Sequence, residues 1–495
     1  MITSRNEMSG TIYTRLAILA FVVITAIGVA HFLPLGFAIV ALCIVVVATR
    51  YVDFLPILLF WTLPYMIVNT PTGAFTLKLP EAVAYIFATA AATRAFLRRE
   101  RWSMPPATVP VLVFLSVMLV CTALEPNAPT PFLGAMRPTD RNSPNFRSMS
   151  IIIWMALSWL VVIATYNIVG RRKELFRKCA TIHCLSAGLA AIISMVLFVA
   201  AFAGFHLFSS GGGSKTRATV LMSGDFFRLA GVAYEPLSLA FYLITAIPIT
   251  LIIYLLYPSW ADRRLMLVSL AFQFVALCLT FSAGGLAGMV VVIAMLALFL
   301  RHTKYDRSRM RSLRLGATVF VALLMISAAS ISGVLGMIFR TVSKITNAQQ
   351  SNRAGEWAVG IAEFKNYPLL GVGPGMSNYH FPQYNPEMSS QSLTGINEVN
   401  DIVLGVLGET GIVGFVALCY VILAGLRPFA IAVKRYGPGR VPILLALTTS
   451  LIGCAIQSLS MNFGVFYMIY FTGVLSLTVC AYRAEPQITQ TEVAQ

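Results

Sequence analysis

Apolar residues in this chain gather in long unbroken runs, without the period-two alternation of a half-buried strand. The runs fall at about 12–31, 34–49, 54–69, 80–97, 107–124, 150–169, 179–208, 236–257, 265–282, 284–300, 316–338, 401–425, 441–461 and 464–482. Most approach the roughly 20 residues that a helix needs to cross a hydrocarbon core of about 30 Å. Each run therefore predicts a transmembrane helix, which closes its own backbone hydrogen bonds in lipid. The run at 80–97 is the weakest, being Ala-rich and carrying Glu81 and Arg94. The predicted fold class is all-α, a polytopic membrane protein with about fourteen spans.

Three polar segments interrupt the runs, at 125–149, 209–235 and 339–400. The last is the largest and predicts one dominant external loop with short helices of its own. From Ser351 to Tyr367 it is periodic, with Trp357, Ile361 and Phe364 on one helical face and Pro368 at the end. This pattern predicts an amphipathic helix lying on the outer membrane surface, capped by Ser351. The expected division is residues 1–338 as spans 1–11, residues 339–400 as the loop, and residues 401–495 as spans 12–14 with a cytoplasmic tail. No internal repeat is visible.

Composition agrees with the run count. Of 495 residues, 58% are hydrophobic and 11% are charged, against about 25% charged in soluble domains. That excludes a soluble enzyme, and the number of runs excludes a single-pass anchor. The formal net charge of +17 would suggest a nucleic-acid partner in a soluble protein. Here its location matters more. The short basic connections are Arg98 to Arg101, Arg171 to Lys178, Arg263 with Arg264, Arg301 to Arg314 and Arg427 to Arg440. With fourteen spans and both termini cytoplasmic, every one falls inside, as the positive-inside rule requires. The first run leads straight into further spans and reads as a helix, not a cleaved signal. The expected partners are the bilayer and no nucleic acid, and the expected place is a bacterial inner membrane. Eight cysteines without CxxC or zinc-like spacing read as small core residues, with no metal site and no cofactor.

Polar groups at the membrane without structural need are where function is sought. Lys215, Arg217, Arg228, Arg340, Lys344, Arg353 and Lys365 are basic yet lie in external segments. Grouped at helix ends facing one compartment, they suit an anionic ligand, because arginine offers phosphate oxygens a planar fork. Arg228 and Glu235 stand at the entrance of one span. Glu409 falls inside another, where it needs a partner or a cavity. Asn397, Glu398, Asn400 and Asp401 precede that span, and His380 is the loop's histidine. Pro368-Leu369-Leu370-Gly371-Val372-Gly373-Pro374-Gly375 spaces its glycines like a phosphate loop but lacks Gly-Lys-Ser/Thr, so it reads as turn punctuation. Ser282-Ala283-Gly284-Gly285 reads as a tight helical hairpin.

In order and spacing, Arg353, Trp357, the 368–375 segment and Glu409-Thr410-Gly411-Ile412-Val413-Gly414 resemble the pattern of the O-antigen ligase and polysaccharide polymerase superfamily. Arg228, Gly231, Glu235 and Pro236 are similar to that family's earlier segment. Two positions differ. Val399-Asn400 stands where the family often has His-Asn, and Ala283 stands where its hairpin often has arginine. The resemblance implies a glycosyltransferase whose donor is an undecaprenyl-diphosphate-linked oligosaccharide. An acceptor hydroxyl attacks the anomeric carbon and the lipid diphosphate leaves. It implies Arg228 and Arg353 on the diphosphate and Glu235 or His380 as proton acceptor. Arg340, Arg217, Lys215, Trp357, Asn400 and Glu409 would help to bind substrate. A polymerase making O-antigen or exopolysaccharide is the first expectation, with a chain-length regulator as a further partner. A ligase moving finished glycan onto lipid A core is the alternative. A transporter or flippase of lipid-linked sugars is the rival from another class, and would show interrupted helices and repeated halves.

Overall fold

The computed structural model describes residues 49–66, 69–71, 76–124, 144–202, 220–223, 226–233, 235–300, 352–385, 399–437, 441–459 and 465–493. The runs at 12–31, 34–49 and 316–338 lie outside these residues, apart from Thr49. Each of the other eleven runs carries a helix among the described residues. In chain order these are α1 (Leu55–Thr62), α2 (Leu79–Arg98), α3 (Thr108–Ala123), α4 (Pro144–Ile168), α5 (Lys173–Phe202), α6 (Pro236–Leu256), α7 (Arg263–Leu279) and α8 (Ala283–Leu300). Two helices of the large loop follow, α9 (Asn352–Asn366) and α10 (Ser377–Tyr384). Then come α11 (Ile402–Tyr436), α12 (Pro442–Ser458) and α13 (Val465–Val493). Two short antiparallel hairpins complete the fold. β1 (Asn69–Pro71) pairs with β2 (Thr76–Lys78), and β3 (Val220–Ser223) with β4 (Phe226–Leu229).

Helices α4, α5, α6 and α11 are each long and apolar enough to span a membrane, and α3, α8 and α12 are shorter apolar helices. The chain is thus a multi-pass membrane protein. One expected span is shortened. Helix α1 has only eight residues, about 12 Å at 1.5 Å per residue, because Pro64 removes a backbone donor just after it.

The core is built around α6. It is apolar on all sides, and every residue from Leu239 to Thr250 is buried, as expected of a helix surrounded by others. It packs on α5, α7, α8 and α12. Helices α8 and α12 meet closely because Gly288 and Gly453 face each other; a Cβ at Gly288 would come 2.6 Å from the Gly453 carbonyl oxygen. Small residues allow such approach where lipid supplies no hydrophobic drive. Several buried polar side chains in these helices are paired. Gln273 donates to the Cys184 carbonyl (3.0 Å) and Ser269 Oγ (2.8 Å), and Thr250 donates to the Ala246 carbonyl (2.9 Å). The seven described cysteines are free thiols, five of them buried.

Candidate functional site

Helix α11 is broken. Gly411 has φ 63° and ψ −166°, which interrupts the i to i−4 ladder and frees backbone groups on both sides. The 368–375 loop takes them up. Val372 N–H donates to the Gly408 carbonyl and Gly373 N–H to the Glu409 carbonyl, each at 2.9 Å. In return Ile412 N–H donates to the Pro368 carbonyl (2.9 Å) and Val413 N–H to the Leu369 carbonyl (3.3 Å). Non-helical backbone at membrane depth is tolerated where protein satisfies it in this way. Gly371, Gly373 and Gly375 have φ of +69°, +103° and +71°, a region that side chains resist. The turn reading of these glycines therefore holds. Their amides are taken up within the protein, Gly371 N–H by the Tyr367 carbonyl and Gly373 and Gly375 N–H by Glu409 of α11, and do not form a phosphate cradle. The broken helix is the feature expected of a transporter, yet here the break is filled by the chain's own loop.

Glu409 belongs to the same assembly. Its Oε2 accepts from Gly375 N–H at 2.8 Å, so the carboxyl expected inside a span has a partner. Helix α4 reaches the loop from the other side. Ser148, fully buried, donates from Oγ to the Pro374 carbonyl at 2.7 Å. A Cβ at Gly375 would meet Ile151 at 2.4 Å and Arg147 Nε at 3.4 Å. Arg147 is a basic residue at the loop that sequence reasoning did not select; it lies in the 125–149 segment, where no motif marks it.

Helix α9 forms where expected but presents a different face. Glu356, Val359, Gly360 and Glu363 are buried, whereas Ile361 is 43% exposed. The predicted Trp357, Ile361 and Phe364 face is thus not the packed one. The reason is close backbone approach: at Gly360 a Cβ would lie 3.1 Å from both Leu404 and Val399, so the stripe containing that glycine turns toward α11. The stripe carries two carboxyls at i and i+7. Glu356 Oε2 accepts from Asn400 N–H (3.3 Å), one residue before Asp401, which caps α11 by accepting from Val403 (2.9 Å) and Leu404 (3.0 Å). Glu363 Oε2 accepts from Ser377 Oγ at 2.7 Å. Burial pushes the Glu363 carboxyl up to about 8, Ser377 pulling back and Glu409 pushing the same way. The signal in the sequence was two acids on one stripe with a glycine.

His380, on α10, is 2% exposed and stands edge-on to Tyr367 with ring centroids 6.1 Å apart. Burial holds its pKa below the usual histidine value, Gln383 opposing, so the ring is neutral at neutral pH and able to accept a proton.

The second group lies at the start of α2, the start of α6 and the end of α7. Arg228, on β4, donates from Nε to the Thr280 carbonyl at 3.0 Å, at the C-terminal end of α7, where the helix dipole favours a cation. The hairpin after Thr280 turns through Phe281 at φ 47°, and Ser282 Oγ caps α8 by accepting from Gly285 N–H (3.2 Å). Gly231, at φ +55°, is pressed against Ser194, whose Oγ accepts from Val232 N–H at 3.2 Å. Glu235 occupies the N-cap position of α6. Lys78, unforeseen, is 7% exposed. Burial pulls its pKa down to about 8, against the Glu81 and Glu235 carboxylates, which favour its charge. Its own N–H donates to Glu81 Oε2 at 3.0 Å and so starts α2.

The structure thus brings Glu409 and Asn400 together with α9 and α10, which carry Trp357 and His380. Arg228, on β4, sits instead against the end of α7, and Glu235 stands at the start of α6 near Lys78. Arg353 lies in the first turn of α9. Arg340, Arg217 and Lys215 lie outside the described residues. Among the described residues no three His, Cys, Asp or Glu side chains are grouped to hold a metal ion.

Comparison with curated proteins gives no match. Residues 266–419, from α7 through the break in α11, match the family model for O-antigen ligase, and over this region the chain is similar to the O-antigen ligase and polymerase superfamily.

Proposed function

We propose that this chain is an inner-membrane glycosyltransferase with about fourteen spans. It polymerises oligosaccharide repeats carried on a lipid diphosphate, at the outer face. The observation that carries this reading is the mutual closure of the 368–375 loop and the break in α11. It makes one rigid platform of segments distant in sequence and seats α9, with Arg353 in its first turn, along α11. An acceptor hydroxyl attacks the anomeric carbon, the bond to the diphosphate breaks, and negative charge gathers on the leaving group. Arginines fixed beforehand stabilise that charge more than the ground state, and one such contact is typically worth about 3 kcal/mol. Arg353 and Arg228 are assigned to this role, with Arg340, Arg217 and Lys215 extending the basic surface. His380, neutral and buried, or Glu235 accepts the hydroxyl proton. Trp357, Asn400 and Glu409 shape the donor site.

Arg353→Ala should abolish long-chain polymer while protein level and membrane insertion stay normal. Arg353→Lys should fail as well, since a point charge cannot form the fork. Normal chain length in both variants would sink the assignment. The matched family description favours a second reading, transfer of finished glycan to lipid A core. The two differ in the deletion phenotype. Loss of a polymerase leaves single repeats on the surface, whereas loss of a ligase leaves none and long chains accumulate on the lipid carrier.

A further inference from the structure

Glu363 is fully buried at 0% exposure, on the face of α9 that packs against α11. Its carboxyl touches two other pieces of the platform at once. Oε2 accepts from Ser377, the first residue of α10, at 2.7 Å. The same oxygen lies over Gly408, where a Cβ would come within 2.5 Å of it. Oε1 is buried without a hydrogen-bond partner among the described residues. The ionisable groups that face it from the elements around it are Glu409 on α11, His380 and Tyr384 on α10, Tyr367 just after α9, and Glu356 two turns back on α9 itself. Arg147 of α4 meets the loop at Gly375, the residue whose N–H the Glu409 carboxyl accepts.

We propose that Glu363 is a positioning residue of the transfer site: as a neutral acid it locks α10 and the Gly408 end of the break together, and so holds the 368–375 loop and Glu409 in place. This rests on the transferase reading only for what the platform serves. Ionised, Glu363 would set a second negative charge beside Glu409 in a dry contact with no room for water at Gly408. The lock would then open. Burial and Glu409 both favour the neutral form up to a pH of about 8. Glutamine has the same shape, accepts from Ser377 in the same way and does not titrate.

The test uses the full chain in lipid nanodiscs. Hydrogen exchange over residues 368–384, corrected for the intrinsic pH dependence of exchange, is measured from pH 6 to 9.5 alongside turnover of a lipid-diphosphate-linked oligosaccharide. The unaltered protein should lose protection and turnover together, with a midpoint near 8. Glu363→Gln should keep both at pH 7 and remove the step from both. A step of unchanged midpoint in Glu363→Gln would overturn the proposal, as would lost turnover at pH 7 with protection intact. Should the glutamine variant not accumulate, Ser377→Ala replaces it. That change removes the hydrogen bond by which Glu363 holds α10, so protection over residues 376–384 must fall already at pH 7, and unchanged protection there overturns the proposal. A protection step in a protein that turns over no donor would sink the transferase reading and leave the lock standing. Protection independent of pH in an active enzyme would do the reverse.

Discussion

Gly371 and Glu409 are in backbone contact: a Cβ on Gly371 would come within 2.3 Å of the Glu409 carbonyl carbon. The relation is repeated one step on, where a Cβ at Gly411 would lie 2.3 Å from the carbonyl carbon of Leu369. Each of two sequence motifs holds the glycine that the other's backbone requires. Their pairing in this chain is explained by packing before any substrate is considered.

Gly371→Ala and Gly411→Ala should each disrupt the platform. The left-handed backbone costs a residue with Cβ about 1–2 kcal/mol, and the clash is with backbone, which has no rotamer to move. Thermal unfolding in detergent and trypsin cleavage after Lys365 should both show early opening of the loop. Two controls share the residue type without the constraint. Gly437, at φ +82°, has nothing within 4 Å of its Cβ position, and neither does Gly425 inside α11. Gly437→Ala should cost only the backbone strain. Gly425→Ala should be neutral or stabilise by roughly 0.5–1 kcal/mol. A similar loss in all four variants would mean that the contact geometry is not what matters.

Glu409 is wanted as an acceptor. Its Oε2 holds the Gly375 amide, and an amide oxygen can do the same. Glu409→Gln should therefore keep the loop ordered. Glu409→Ala strands a buried N–H and should cost about 1–3 kcal/mol, read as faster hydrogen exchange at Gly373–Met376. Equal effects of the two changes would show that the charge, not the hydrogen bond, is required. Lost turnover in the folded glutamine variant would place the carboxylate against substrate.

The helical runs were readable because lipid demands uniform apolarity over a fixed length, and the length of an apolar run alone reveals it. The face of α9 was not, although its bounds were. Hydrophobicity pointed to Trp357, Ile361 and Phe364, but Gly360 allows the nearest approach of α11, and close approach decided which stripe was buried. Two acids followed it inward, made tolerable by Asn400 and Ser377, partners whose proximity no local pattern encodes. Arg147 and Lys78 were missed for the same reason. Each becomes notable only once α4 meets the 368–375 loop, or α2 stands beside α6. The glycine-rich loop was legible as a turn, but the purpose of the turn lay in the broken helix it completes.

Lys78 gives a test of how the second group is held together. It is buried beside Glu81 and Glu235, whose carboxylates favour its charged form while burial opposes it. Removing a lysine from such a set leaves carboxylates without their counter-charge, typically a loss of roughly 3–5 kcal/mol when the partners are buried. Glu235 is half-buried, so its share should fall at the low end. Lys78→Met should thus lower the unfolding temperature sharply, and Glu235→Gln less. In the double variant the cost should be well below the sum, because the methionine no longer leaves Glu235 unpaired. The pH dependence has a definite sign. A lysine whose folded pKa lies below its ordinary value favours unfolding while it must be charged, and that penalty is relieved as pH rises through about 8 toward 10.5. The difference in stability between the unaltered protein and Lys78→Met should therefore widen over that window. Additive single-variant costs, with a difference constant from pH 7 to 10, would show that Lys78 is not coupled to Glu235 and that Arg228 and Glu235 are seated without it.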